Sequence, residues 1–255
     1  MEVFERFSLA DRVAVVTGAS EGIGQGLAID LARAGADVIV ASRREEKLRE
    51  TRAEIEALGR RAETFRLDVT NIDSVRELRD FAKEQFGRVD ILVNAAAFTT
   101  TKPAWDVTED DWDRMVDTSL KGLFFSCQII GQLMREHRYG KIVNLSSTFS
   151  RSLIVGRSVY AAIKAGVSHL TEALATEWAK DGIRVNALAP TATMTPTRAE
   201  LLSGERLASI VSRIPLGRLA TVEDFTGAII YLASPASDFV TGHTLFVDGG
   251  WVAAS

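Results

Sequence analysis

The stretch RVAVVTGASEGIG at residues 12–24 is typical of a β-strand that passes through a glycine-rich turn into a helix. Arg12 to Thr17 is a short β-branched run, and Gly22 to Ala34 repeats its apolar residues at helical spacing. A strand, a tight turn and a helix in this order form the first unit of an α/β fold.

The same alternation continues to the end of the chain. Further strands are predicted at Asp37 to Ser42, Ala62 to Val69, Val89 to Asn94, Gly140 to Ser146, Ile183 to Ala189 and Thr244 to Val247. Further helices are predicted at Glu45 to Leu58, Ile72 to Phe86, Trp112 to His137, Ser158 to Lys180 and Val222 to Ala233. This pattern favours a doubly wound parallel sheet of about seven strands, with helices on both faces and a ligand site at the carboxyl ends of the strands.

Length and composition indicate one globular domain over residues 1–255, since no linker, repeat or low-complexity segment interrupts the alternation. The chain has 46% hydrophobic and 25% charged residues, close to the average for globular proteins. Its net charge of -4 argues against nucleic acid as the main partner. No uncharged run is long enough to span a membrane, and we expect a cytoplasmic protein.

Metal and disulfide chemistry are not expected. The single cysteine, Cys127, excludes an internal disulfide and lies in an apolar run that favours a core thiol. The three histidines, His137, His169 and His243, are scattered and show no metal-ligand spacing.

The glycine turn itself predicts a phosphate site. Glycines let the backbone turn tightly and approach a pyrophosphate, while the N-terminus of the following helix attracts the anion. The predicted contacts are Gly18, Ser20, Gly22, Ile23 and Gly24. A tight turn without a ligand is the alternative, and three glycines after the first strand disfavour it.

The same turn also matches a different motif. Gly18 to Gly22 fits the G-x-S-x-G nucleophile elbow of α/β-hydrolases, and Asp224, Asp238 and His243 lie downstream in a workable order. An elbow serine normally follows several strands, however, and Ser20 follows the first, so the hydrolase is the less favoured interpretation.

The end of the second strand bears on the choice of dinucleotide. An NAD site places an acid there for the ribose hydroxyls, whereas this chain has Ser42, Arg43 and Arg44. Two arginines are unfavourable at the start of a helix and suit an external anion such as a 2′-phosphate. NADP(H) is therefore preferred and NAD(H) is the alternative, because Glu21 in the phosphate turn would repel additional negative charge.

Two further groups complete the predicted site. Asp68 and Val69 close the third strand and are expected to contact the adenine, with a capping carboxylate as the alternative. Tyr160 and Lys164 lie four positions apart on a predicted helix, so they project from one face and the lysine can act on the phenol. Ser147 precedes them at the end of the fifth strand.

Together these residues resemble a classical short-chain dehydrogenase/reductase along nearly the whole chain. The shared motifs are TGASEGIG at residues 17–24, Asp68-Val69, Ser147 with Tyr160 and Lys164, Asn186 to Pro190, Pro215 to Arg218, and Val247 to Gly250. The resemblance implies a Rossmann-type domain, a nicotinamide cofactor, carbonyl/alcohol interconversion and a homotetramer in which the two longest helices form an interface.

The resemblance also implies a role for each matching residue. Tyr160 would exchange a proton with the carbonyl oxygen, Lys164 would lower the pKa of the tyrosine and hold the nicotinamide ribose, and Ser147 would bind the substrate oxygen. Further cofactor contacts would come from Asn94, Ala95, Ala96, Pro190, Thr193 and Thr195.

Four positions depart from the family pattern. The usual Asn-Asn-Ala-Gly after the fourth strand is Asn94-Ala95-Ala96-Ala97, and the glycine after Pro190 is Thr191. Ser119 stands where the family has a helix asparagine that supports the proton relay, and it is taken here as a fourth catalytic residue.

Substrate choice is expected to come from loops at the strand ends, including the variable segment at residues 191–213. These loops carry the cations Lys102, Arg151, Arg157 and Arg198, which would suit a keto-sugar or sugar acid; solvated loop charges are the alternative. Phe98, Trp105 and Phe149 would equally suit an apolar ketone or a 3-oxoacyl group. A cofactor-binding sensor without catalysis is a further alternative, and Ser119 is its only support.

Overall fold

The computed structural model describes residues 2–195 and 204–255, and within them a single parallel sheet organises the molecule. Its strands are β1 (Val13–Thr17), β2 (Asp37–Ser42), β3 (Ala62–Arg66), β4 (Ile91–Asn94), β5 (Gly140–Leu145), β6 (Ile183–Pro190) and β7 (Thr244–Val247). The spatial order is β3-β2-β1-β4-β5-β6-β7. The order reverses between β1 and β4, which is where such sheets bind ligands, and the predicted Rossmann-type fold is confirmed.

The helices connect these strands in the predicted sequence. They are α1 (Gly22–Arg33), α2 (Glu45–Ala57), α3 (Ile72–Phe86), α4 (Glu109–Val116), α5 (Gly122–Glu136), α6 (Ser158–Trp178), α7 (Gly204–Val211) and α8 (Thr226–Ala233). Local chemistry sets several ends: Asn71 caps α3 by accepting from the Asp73 amide, and Gly87 ends it at φ 74°. Thr108 and Asp111 form a capping box at α4.

Two apolar layers cover the sheet. One contains α1, α2 and α8, with Leu27, Leu48 and Ile229 among its buried residues. The other contains α3, α5 and α6, with Leu78 and Val167 among its buried residues. Both faces of each central strand are therefore buried, which explains why the strands read as continuous apolar runs.

The predicted helix from Trp112 to His137 is wrong in one respect. It is divided into α4 and α5 by a π-helical turn at Asp117–Lys121. A Cβ at Gly122 would lie 2.6 Å from the carbonyl oxygen of Val69, so glycine allows the helix to pass close to the end of β3. The π-helical turn directly precedes this close approach, and no local sequence signal predicts the turn.

Two smaller features differ from the sequence expectations. The strand predicted to reach Val69 ends at Arg66, and the segment that was expected to be irregular after Thr191 contains α7. The core thiol is confirmed, because Cys127 is fully buried and burial raises its pKa to about 12.

Within residues 2–195 and 204–255, no cluster of histidine, cysteine and carboxylate side chains is arranged to bind a metal ion. No helix in these ranges is long and apolar enough to cross a membrane.

Candidate active site

The glycine turn lies at the carboxyl end of β1, with its backbone tightly packed. A Cβ at Gly18 would lie 2.6 Å from the Ala96 nitrogen, and one at Gly24 would lie 2.3 Å from the Gly18 oxygen. Gly18 and Gly22 adopt φ angles of 70° and 60°. The side chain of the N-cap residue, Glu21, makes no capping hydrogen bond to α1, and amides in the first turn of a helix suit an anion.

The segment after β6 reaches over this turn. The Thr195 methyl lies 3.4 Å from the position that a Cβ at Gly22 would occupy. Thr193 donates its hydroxyl to the Thr191 carbonyl over 2.9 Å. The structure therefore places Pro190, Thr193 and Thr195 on the same side of the sheet as the glycine turn.

An ion pair joins the loops after β1 and β2. The Arg44 guanidinium lies 2.7 Å from the Glu21 carboxylate and donates to the Ser20 hydroxyl over 3.0 Å. The Ser42 hydroxyl accepts from the Arg44 amide over 3.1 Å. Glu21, which we expected only to repel a phosphate, is thus the direct partner of Arg44.

The predicted adenine contact at Asp68 takes part in a local cap. Burial opposes ionisation of its carboxylate, but hydrogen bonds from the Thr70 hydroxyl and amide outweigh it, and nearby Arg43 assists, so the Asp68 pKa is lowered. Asp68 is therefore a carboxylate that stays ionised beside Arg43.

Asn94 turns into the protein. Its amide nitrogen donates to the Asn144 side chain over 2.9 Å and contacts the Cys127 sulfur at 3.1 Å. Asn144 in turn donates to Thr171 on α6 over 3.0 Å. The Asn94 amide nitrogen therefore ties β4 to β5, while its buried side-chain oxygen has no hydrogen-bond partner in the part of the chain that the structure describes.

Tyr160, Lys164 and Ser147 are brought together at the carboxyl ends of β4 to β6. The Lys164 ammonium lies 5.6 Å from the centroid of the Tyr160 ring and donates to the Leu145 carbonyl over 2.5 Å. Burial lowers its pKa to about 8. The Tyr160 ring meets Phe149 edge-on at 5.9 Å, and the Ser147 hydroxyl accepts from the Phe149 amide over 3.2 Å.

Ser119 lies in the π-helical turn and is almost fully buried. Its hydroxyl donates to the Phe98 carbonyl over 3.1 Å and accepts from the Phe98 amide over 3.0 Å. The Lys164 ammonium bonds to Leu145 and not to Ser119. The structure thus gives Ser119 a contact that positions the loop after β4.

The candidate substrate cations differ in their environments. Lys102 forms an ion pair with Asp111, whose pKa this contact and the Thr108 hydrogen bonds lower to about 2. Arg157 donates to the Thr99 hydroxyl over 2.8 Å, and its guanidinium lies 5.8 Å from the centroid of the Tyr160 ring.

Arg151 lies 5.6 Å from the Phe246 ring centroid on β7. Arg198 lies outside the described residues. Among the candidate cations in residues 2–195, Arg157 is the one whose guanidinium lies against the Tyr160 ring.

The sequence did not predict that Trp251 holds the loop that follows Ser147. The Trp251 indole N–H donates to the Ser152 hydroxyl over 2.8 Å, and Ser152 donates to the Thr148 carbonyl over 3.0 Å. Trp251 also packs with Ile154 and with apolar residues of α7 in a small separate core. No sequence motif marks this tryptophan as an anchor of the loop that follows Ser147.

The geometry excludes the hydrolase alternative. Ser20 follows β1 at the carboxyl end of the sheet, whereas His243 precedes β7 at the amino end. Because all the strands are parallel, the length of the sheet separates the two side chains. Asp224 is held by two hydrogen bonds from Arg218, and Asp238 lies 2.9 Å from the Lys141 ammonium.

Known proteins match this chain over nearly its whole length, including the residues described above. Residues 18–252 match the family described as enoyl-(acyl carrier protein) reductase. The 2-dehydro-3-deoxy-D-gluconate 5-dehydrogenase of Escherichia coli K12 is 40% identical over 253 residues, which cover 98% of this chain and 99% of that protein. The gluconate 5-dehydrogenase of Gluconobacter oxydans 621H is 38% identical over 245 residues, which cover 96% of each.

A crystal structure of a related dehydrogenase is also similar to this chain. A gluconate 5-dehydrogenase from Burkholderia cenocepacia J2315, in complex with NADP and tartrate, has a TM-score of 0.95 to this chain at 36% identity. The match covers 100% of both chains.

Proposed function

This protein belongs to the short-chain dehydrogenase/reductase family of NAD(P)-dependent oxidoreductases that act on CH–OH groups, and we propose that it interconverts a keto-sugar acid and its secondary alcohol with NADP(H). The observation that carries the proposal is the position of Arg157, a cation beside the Tyr160 ring at the reactive end of the sheet. A carboxylate held there would place the rest of a small sugar acid near the phenol.

The residues at the switch point fit a dinucleotide. The N-terminus of α1, where the side chain of the N-cap residue makes no capping hydrogen bond, suits a pyrophosphate. Arg43 and Arg44 at the end of β2 suit a 2′-phosphate. When bound, the nicotinamide cofactor supplies or accepts the hydride.

The protein's own side chains would handle the proton and the charge. In reduction, the Tyr160 hydroxyl would donate its proton to the carbonyl oxygen, and in oxidation it would remove one from the alcohol. The Lys164 ammonium, mostly protonated at neutral pH because its pKa is about 8, would stabilise the phenolate. The Ser147 hydroxyl would bind the oxygen on which charge develops.

Ser119 would contribute by fixing the loop after β4. Its two hydrogen bonds to Phe98 hold the π-helical turn against the segment that carries Phe98 to Trp105. We therefore assign Ser119 a positioning role in place of the catalytic role predicted from the sequence. The same segment contains the Thr99 hydroxyl that binds Arg157.

The experiment that tests this function is a paired substrate measurement. Oxidation of gluconate and of 2-dehydro-3-deoxy-D-gluconate would be compared with oxidation of the uncharged polyol glucitol, each with NADP⁺ and with NAD⁺. We expect the acids to be turned over with the higher kcat/KM and NADP⁺ to be the better cofactor. Preference for glucitol, or for an apolar ketone in the reverse direction, would contradict the sugar-acid assignment.

Assembly and location are part of the same proposal. We propose a homotetramer in the cytoplasm, in which the exposed faces of α5 and α6 contribute to the interface, as the family resemblance implies. Light scattering of the purified protein tests the tetramer, and a mass near 27.8 kDa would contradict it. Fractionation of cells that produce the protein tests its location.

A further inference from the structure

We infer that Glu21 is a specificity-determining residue that competes with the cofactor's 2′-phosphate for Arg44 and so weakens the preference for NADP(H) over NAD(H). The inference rests on the proposed NADP(H) chemistry and concerns one ion pair at the adenosine end of the cleft. Glu21, a residue of the glycine turn, would thus weaken the binding of the 2′-phosphate.

The Glu21–Arg44 pair is placed by the fold. β1 and β2 are neighbours in register, with Thr17 opposite Ala41, so the turns that follow them face each other. The Gly18 amide donates to the Ala41 carbonyl over 2.8 Å, which holds the two turns together. A side chain on one turn can therefore reach a side chain on the other.

Arg44 already has partners in this arrangement. Its guanidinium lies 2.7 Å from the Glu21 carboxylate and 3.0 Å from the Ser20 hydroxyl. The Arg44 side chain is 53% exposed and that of Glu21 is 40% exposed, so both can be reached from the cleft. An incoming 2′-phosphate must share Arg44 with Glu21 or displace it.

The charge balance supports competition. Arg43 and Arg44 are opposed by Glu21 and by Asp68, which is held ionised by Thr70 and by Arg43. A phosphate monoester brings nearly two negative charges into contact with a group that already bears one. NAD(H) has hydroxyls at this position and leaves the Glu21–Arg44 pair intact.

The expected effect is selective. Glu21→Gln removes the competing charge and keeps the side-chain length, so the affinity for NADPH should rise while that for NADH stays unchanged. Exposed ion pairs are weak, and we expect the ratio of the two dissociation constants to change by roughly three- to ten-fold.

The test uses binding and does not depend on activity. Dissociation constants of NADPH, NADH, adenosine 2′,5′-bisphosphate and 5′-AMP would be measured by calorimetry for wild type, Glu21→Gln and Glu45→Gln. Glu45 is the matched control, because it is an acid next to Arg44 in the sequence but pairs with Arg66. We expect Glu21→Gln alone to tighten the two 2′-phosphate ligands.

A double mutant tests whether Glu21 acts on the 2′-phosphate through Arg44. In an Arg44→Ala background, Glu21→Gln should lose most of its effect if the two groups compete for the guanidinium. The inference is overturned if Glu21→Gln leaves the NADPH:NADH ratio unchanged, lowers it, or matches Glu45→Gln. The proposed cofactor fails separately if wild type binds NADH more tightly than NADPH.

Discussion

The Lys164 ammonium lies 5.6 Å from the centroid of the Tyr160 ring, one turn further along α6, and is buried with a hydrogen bond to the Leu145 carbonyl. Burial gives this ammonium a pKa of about 8, below its ordinary value of 10.5. Keeping Lys164 protonated in this buried position therefore lowers the free energy of unfolding.

The pH dependence of stability follows from this depressed pKa. Between about pH 8 and 10.5 the unfolded chain binds more protons at Lys164 than the folded chain, so the free energy of unfolding rises with pH across this window. The free energy of unfolding of wild type, minus that of Lys164→Met, should therefore increase by up to about 3 kcal/mol between about pH 8 and 10.5. Urea unfolding at several pH values measures the difference.

The control is Lys180→Met, which removes an exposed lysine near the end of the same helical region. Comparison of the two variants separates the effect of burying the Lys164 ammonium from the loss of one positive charge. If the difference in unfolding free energy between wild type and Lys164→Met does not change with pH, burial does not penalise the Lys164 charge.

Ser119 offers a second prediction, because its hydroxyl makes two hydrogen bonds to the backbone of Phe98. Ser119→Ala should lower the free energy of unfolding by about 1–3 kcal/mol and reduce kcat while NADPH binding is retained. Ser119→Asn should restore part of kcat, since an amide can both donate and accept.

The matched control is Ser126→Ala, which removes a buried hydroxyl that donates to the Gly122 carbonyl within α5. It should affect kcat less than Ser119→Ala. Equal kcat values in Ser119→Ala and wild type would contradict the positioning role.

Arg157 carries the prediction on substrate charge. Arg157→Met should raise KM for gluconate by about ten-fold or more, because a hydrogen bond to a charged group contributes about 1.5–3 kcal/mol. KM for glucitol should change little, and Arg157→Lys should recover part of the loss for the acid.

Arg151→Met is the comparison, since the Arg151 guanidinium lies over the Phe246 ring, whereas that of Arg157 lies over the Tyr160 ring. It should leave discrimination between the acid and the polyol unchanged. A parallel rise in KM for both substrates in Arg157→Met would indicate loss of the Thr99 contact alone.

The sequence predicted the parallel sheet and the alternation of helices and strands, because these follow from apolar periodicity, and it predicted a ligand site at the carboxyl ends of the strands from the glycines there. It did not predict the π-helical turn at Asp117–Lys121. That turn lies directly before Gly122, which approaches the Val69 carbonyl closely although the two residues are distant in the sequence.

Side-chain partners were also beyond sequence reasoning. Glu21 was expected to repel a phosphate, but its pairing with Arg44 depends on the register of β1 and β2. The support that Trp251 gives to Ser152 joins residues at the C-terminal end and the loop after β5. Such contacts are set by the folded sheet and leave no local pattern.

The central claim is that the Tyr160 hydroxyl transfers the proton, and Tyr160→Phe tests it most directly. This change keeps the ring against Phe149 and removes only the phenolic oxygen. We predict that kcat/KM for sugar-acid oxidation and for the reverse reduction falls by about 10²–10⁴-fold, while the dissociation constant of NADPH stays close to that of wild type. Normal carbonyl reduction by Tyr160→Phe would contradict the account.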